Sequence, residues 1–180
     1  MEHITWNMKK TKGFSILEIL VSITIFSLVL LAVLGFVFWL TFANTRAKAD
    51  ANTLENARRI LDIISYEIRG AKSGYTPTTT QSQLSLETLR DLPAEETNTF
   101  LDFFLCGADS SDICLKKESQ NPTALNSEAV VITGLSFSQI ANGSNPSIKI
   151  SLMVEHKNPT GQSSGSSSVT LGSTVSLRNY

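Results

Sequence analysis

The sequence predicts an α+β fold: a long N-terminal α-helix, membrane-spanning in its first half and amphipathic in its second, packed on a C-terminal antiparallel β-sheet. Three observations predict it. Residues 14–45 are dominated by an apolar run that carries no charge from Ile19 to Thr45. Residues 46–72 keep apolar side chains at helical spacing, and the last third alternates apolar and polar residues with a period of two.

A basic stub precedes the apolar run. The chain of 180 residues suffices for one domain and balances 15 Lys and Arg against 16 Asp and Glu, so no bulk charge points to nucleic acid. The balance is uneven along the chain. Residues 1–13 hold Lys9, Lys10 and Lys12 against Glu2, a net of +2, and the remainder carries a net of −3. Lysines beside an apolar span stay on the cytoplasmic side of a membrane, which puts everything after the span outside the cytoplasm.

The span itself is long. The 27 uncharged residues from Ile19 to Thr45 exceed the roughly 20 that a bilayer core requires. A disposable secretory signal has an apolar region of about 7–15 residues. Ala47-Lys48-Ala49 has the small-x-small form of a signal-peptidase site but follows a run about twice that length. A plain single-pass anchor is a second reading that apolar length alone leaves open.

The start of the segment separates these readings. Lys9-Lys10-Thr11-Lys12-Gly13-Phe14-Ser15-Ile16-Leu17-Glu18 resembles the class III signal of type IV pilins and type II secretion pseudopilins: a basic leader, a glycine, then phenylalanine opening an apolar helix with a glutamate four residues on. The resemblance covers about thirty residues and is specific in combination. It implies cleavage between Gly13 and Phe14 by a prepilin peptidase, and N-methylation of Phe14. Gly13 lets an extended backbone approach a protease closely, and the lysines hold that bond at the cytoplasmic face. Cutting there leaves the apolar helix on the mature protein.

Glu18 has two readings. At the end of a membrane helix a carboxylate can reach the interface and be tolerated there, whereas at the bilayer centre it costs about 3 kcal/mol. The resemblance implies instead that Glu18 pairs with the Phe14 amino group of a neighbouring subunit, a contact costly to leave half made among packed apolar helices. The chain departs from many major pilins in lacking a proline within this helix. Its interior breaker is Gly35, which weakens a helix but keeps its N–H, so the helix is expected to be continuous.

In residues 46–72, Ala47, Ala51, Leu54, Ala57, Leu61, Ile64, Ile68 and Ala71 define one apolar stripe, with Gly70, Gly74 and Pro77 as the stop. The helix from residue 14 to about 70 is then the stalk and half-buried spine of the pilin lollipop plan.

Residues 73–180 form the expected β-rich head. Residues 75–98 read as an extended loop holding a short strand or helical turn around Leu84-Ser85-Leu86. Thr99 to Cys106 reads as a strand, Gly107 to Asp112 as a turn, and Ile113 to Lys116 as the start of a return strand. Cys106 and Cys114 then face each other near the hairpin mouth. With no accompanying metal-ligand cluster they read as a disulfide in an oxidising compartment. Pilins often place their disulfide nearer the C-terminus, so this placement departs from the usual loop. Ala129 to Ile140 reads as a strand whose apolar parity slips at Gly134, the mark of a bulge. Ile148, Ile150, Leu152 and Val154, then Val169, Leu171, Ser173, Val175 and Leu177, supply two more strands of a meander. The loops at Asn142 to Pro146 and Asn158 to Ser168 join them.

No catalytic motif occurs, and His3 and His156 are isolated. The sequence therefore predicts neither enzyme, metal site nor cofactor. Asn142-Gly143-Ser144 fits a glycosylation sequon but equally a hairpin turn, which is favoured. The resemblance implies a structural subunit of a type IV pilus or type II secretion-like filament. The cysteine placement, and a Thr174 to Tyr180 ending similar to the closing strand of several minor pilins and pseudopilins, favour a minor pilin or pseudopilin. Implied partners are other pilin subunits, a prepilin peptidase, the inner-membrane assembly platform and membrane lipid. An uncleaved membrane-anchored extracytoplasmic binding module is the alternative.

Overall fold

The computed structural model describes residues 13, 15–75, 79–90, 98–118, 120–140, 146–158 and 165–177. The α+β class read from the sequence is present: one long N-terminal helix followed by antiparallel sheets. Helix α1 runs Ile16–Gly70 without interruption at Gly35. The Ser15 carbonyl accepts from the Glu18 and Ile19 N–H groups at 3.0 and 3.2 Å, which makes Ser15 the N-cap. Arg69 in the last turn opposes the partial negative charge of the helix C-terminus.

The chain divides into two compact units, residues up to Phe42 and residues from Ala43 onward. In the first, every α1 residue is exposed. In the second, α1 buries Ala49, Thr53, Ala57, Ile60, Leu61, Ile64, Ser65, Ile68 and Gly70. The expected stripe is therefore right from Ala57 onward, half-buried at Leu54, and wrong at its two alanines before that. Ala47 and Ala51 are exposed, while Ala49 and Thr53 are buried. Alanine is small enough to sit on either face, so it cannot mark which side of a helix is covered. Thr53 hid in a polar reading because its hydroxyl bonds back to the Ala49 carbonyl at 2.8 Å, which satisfies it inside the core.

Two sheets, rather than one, follow. The first has the order β1 (Ala71–Gly74), β2 (Leu84–Thr88), β3 (Thr99–Cys106), β4 (Asp112–Lys117) and β5 (Thr123–Ala124); the second is β6 (Val130–Ile140), β7 (Ser147–His156) and β8 (Ser168–Ser176). All neighbours are antiparallel. The second sheet is the expected meander, with its register slip between Ile132 and Gly134. Thr133 is exposed there, and Val130, Ile132, Leu135 and Phe137 all stay buried, which is what the extra residue accomplishes. A single core joins Ile60, Ile64 and Ile68 of α1 to Leu84, Leu86 and Phe103 of the first sheet and to Ile150, Leu152 and Val154 of the second.

Within β3 and β4, Cys106 opposes Asp112 and Cys114 opposes Phe104. The cysteines are thus diagonal neighbours on one face, not directly opposed, and are joined as a disulfide with Cα atoms 5.8 Å apart. The turn between them needs left-handed backbone at Gly107 (φ 86°), where an added Cβ would crowd the Asp112 carboxylate at 2.9 Å.

Candidate assembly site

The sequence places the candidate chemistry at the N-terminal end of α1. Gly13 and Ser15 are exposed, and Glu18 sits in the first turn of the helix. Phe14, the predicted site of cleavage and methylation, lies outside the described residues. Ser15-Ile16-Leu17-Glu18 follows the S-x-x-E spacing of a capping box, and a carboxylate in a first turn is favoured by the helix dipole. The position of Glu18 in the first turn is thus electrostatically favourable to its own helix, besides the two readings above.

The helix beyond Glu18 presents an apolar surface on all sides. Ile19, Ile23, Phe26, Leu30, Phe36, Trp39 and Leu40 are each half or more exposed, apart from Ile19 at 48%. Such a surface is not sustainable in water over this length, and it is continuous enough to cross a bilayer or to pack among like helices. Three of its hydroxyls are accommodated internally. Thr24 donates to the Val21 carbonyl at 2.8 Å, Ser27 to Thr24 at 2.9 Å and Thr41 to Val37 at 2.8 Å. These bonds leave fewer donors to be satisfied by water, which is the condition an apolar solvent imposes.

Among the described residues, the second unit buries no charged side chain completely. Lys72 Nζ lies 2.8 Å from Glu87 Oε1, and Ser73 Oγ donates to Glu87 Oε2 at 2.7 Å. The Lys72 hydrogen bond first, and the Ser73 hydroxyl second, hold the Glu87 carboxyl below the usual carboxylate range. Arg90 lies over the Tyr66 ring and 3.8 Å from Glu67, beside an open recess of about 390 Å³ that Phe100 and Glu118 also line. Sequence reading missed this Arg90 cluster, because Arg90 is far from Tyr66 along the chain and no local pattern links them. His156, isolated in the sequence, stands on β7 with its Nδ1 buried and unpartnered. Among the described residues, no three His, Cys, Asp or Glu side chains gather as a metal site would require.

Comparison with known proteins bears on the N-terminal end alone. Residues 8–34 match the family model of the prokaryotic N-terminal methylation motif. That match contains Gly13, Phe14 and Glu18 and extends through most of the exposed apolar helix. No curated protein and no solved structure matches the chain.

Proposed function

We propose that this chain, which carries the class III signal segment of the type IV pilin and pseudopilin family, is the precursor of a filament subunit whose work is assembly. The observation that supports this most is the coincidence of the methylation motif with a helix whose residues 16–48 are all exposed. Lys9, Lys10 and Lys12 hold the leader at the cytoplasmic face, and residues 43–180 lie on the other side. A prepilin peptidase cuts after Gly13 and methylates the new amino terminus of Phe14. The freed helix then leaves the bilayer for a bundle of like helices, exchanging lipid contacts for side-chain packing.

Glu18 supplies the register in that bundle. Its carboxylate accepts the charged Phe14 amine of a neighbouring subunit, and a subunit docked one step out of place would leave both charges unpaired in a poorly solvated core. The head forms the filament surface, and the chain serves as a minor pilin or pseudopilin rather than an enzyme. The Cys106–Cys114 placement and the Thr174 to Tyr180 ending support that finer assignment.

The test is the intact mass of the membrane-extracted protein, co-expressed with an active or an inactivated prepilin peptidase. Loss of residues 1–13 with addition of one methyl group, only with the active enzyme, is the expected result. A full-length mass beside a fully processed control prepilin overturns the reading and leaves an uncleaved anchored module.

A further inference from the structure

The outer edge of β8 has properties that neither the core nor the N-terminal motif explains. β8 is the terminal strand of its sheet, and among the described residues its ladder runs to β7 alone. The opposite edge strand differs. On β6, the Ile132 N–H donates to the Ser111 carbonyl at 2.7 Å and the Phe137 N–H to the Gln81 carbonyl at 2.8 Å. Loops thus occupy part of that edge.

Proteins ordinarily blunt a free edge with lysine, proline, a bulge or a covering segment. β8 uses none of the first three. Ser168-Val169-Thr170-Leu171-Gly172-Ser173-Thr174-Val175-Ser176 contains no charge and no proline, and it pairs with β7 from Ser168 to Ser176 without a register shift. The strand is also nearly its own mirror about Gly172. Laid antiparallel on a second copy with Gly172 at the centre, Ser168 meets Ser176, Val169 meets Val175 and Thr170 meets Thr174; only Leu171 and Ser173 differ. Matched valine and threonine pairs of this kind stabilise antiparallel ladders, and no like charges oppose. The register also preserves the faces. Val169 and Val175 lie on the covered side and Thr170 and Thr174 on the exposed side, so the pairing continues both surfaces of the sheet.

We propose that β8 is a homotypic docking edge: it pairs antiparallel with β8 of a second copy of this chain, in the register centred on Gly172, and merges two three-stranded sheets into one. The self-complementary, charge-free strand selects a second copy over an unrelated partner. An isologous contact of this kind closes on itself as a two-fold pair. It stands independently of the filament reading, because it uses no residue of the N-terminal segment.

The test uses the full chain in detergent. Both native cysteines are consumed in the Cys106–Cys114 bond, so a new cysteine is the sole free thiol. At Gly172 a Cβ meets the Ile150 carbonyl oxygen at 3.5 Å, an ordinary contact. Gly172→Cys is expected to give a covalent dimer with a short thiol-to-thiol linker, several-fold more than Ser82→Cys on an exposed bend. Association through the apolar helix would raise both alike. Adding Thr170→Lys with Thr174→Lys sets like charges across two pairs and lowers the Gly172→Cys yield several-fold. Thr170→Lys with Thr174→Glu sets opposite charges across the same pairs and retains it. Equal yields from Gly172→Cys and Ser82→Cys, or equal loss with both charge variants, overturn the proposal.

Discussion

The guanidinium carbon of Arg90 lies 4.7 Å from the centre of the Tyr66 ring, above the last turn of α1. Gly70 ends that helix, and a Cβ placed there would overlap the same guanidinium. The relationship explains why glycine serves at this position without a positive φ: the missing side chain is the space Arg90 occupies. Tyr66 is 61% exposed and Arg90 41% exposed at its side chain, so the cation–π contact belongs to the weak, solvated class of about 0.5–1 kcal/mol. The 3.8 Å ion pair with Glu67 adds little.

Gly70→Ala is accordingly expected to be close to neutral. The alanine gains up to about 1 kcal/mol of helix propensity and expels the flexible end of Arg90, which loses a contribution of similar size. In an Arg90→Ala background the clash is gone, and the same substitution should stabilise. Thermal unfolding of the four chains in detergent provides the cycle. Additive effects of the two substitutions would mean that Arg90 does not rest on Gly70.

Two alanines two residues apart on α1 should respond very unequally to charge. Ala49 is 3% exposed, whereas Ala47 is exposed. Ala49→Asp buries a carboxylate without a partner and should destabilise the second unit by several kcal/mol, while Ala47→Asp should change it by less than about 0.5 kcal/mol. Urea unfolding followed by near-ultraviolet circular dichroism separates the two. Equal midpoints would show that the helix is rotated from the orientation described.

That pair also marks how far the sequence could be read. Ile60, Ile64 and Ile68 are large apolar residues whose spacing leaves one choice of face, and Ile64 and Ile68 were legible as core. Ala47, Ala49 and Ala51 carry no such preference, so the stripe drifted by two residues. The β6–β8 meander was legible because Ile148, Ile150, Leu152 and Val154 alternate strictly and Gly134 breaks parity at the bulge. β1 was not, since Ala71-Lys72-Ser73-Gly74 has no alternation and becomes a strand only through Leu84–Thr88, which it pairs. At the N-terminal end, Gly13, Phe14 and Glu18 were readable as a combination. The Arg90–Tyr66–Gly70 cluster was invisible because only tertiary packing assembles it.

Removing the Cys106–Cys114 bond should cost the head roughly 2–3 kcal/mol, the loop-closure entropy of a short cross-linked segment. The bond lies diagonally across β3 and β4, whose ladder already pairs Leu101 with Lys117 through Cys106 with Asp112. The fold should therefore survive in a Cys106→Ser/Cys114→Ser chain at room temperature, with a lower urea midpoint. Loss of all cooperative unfolding in that chain would mean the disulfide is a condition of folding.

Glu87 gives the head a defined acid dependence. Its folded carboxyl is held low by Lys72 and Ser73, so their stabilisation is fully present above the usual carboxylate range. It is lost as pH falls through the lowered folded value. Glu87→Gln should flatten that part of the acid limb while leaving stability at neutral pH only slightly reduced, since the Lys72 side chain is 49% exposed. Unfolding midpoints of the two chains across acidic pH check the sign. A steeper acid limb in the variant would reverse it.

Glu18→Ala separates processing from assembly. Cleavage on the proposed reading depends on the lysines, Gly13 and the accessible bond before the apolar run, none of which the substitution touches. Within the helix, alanine has high propensity and offsets most of the lost first-turn dipole contribution, about 0.3–1 kcal/mol. The membrane form should thus be processed and stable. On the pairing proposed above, the same change leaves the Phe14 amine of a neighbouring subunit without its partner among apolar helices, a loss of about 3–5 kcal/mol for a buried charge. The expected outcome is normal removal of residues 1–13, with the variant retained in membranes and depleted from sheared filaments in cells carrying the cognate system. Glu18→Asp keeps the charge and should recover part of the incorporation. If Glu18→Ala enters filaments at the level of the unsubstituted chain, the pairing role is wrong and the favourable placement of Glu18 in the first turn is sufficient.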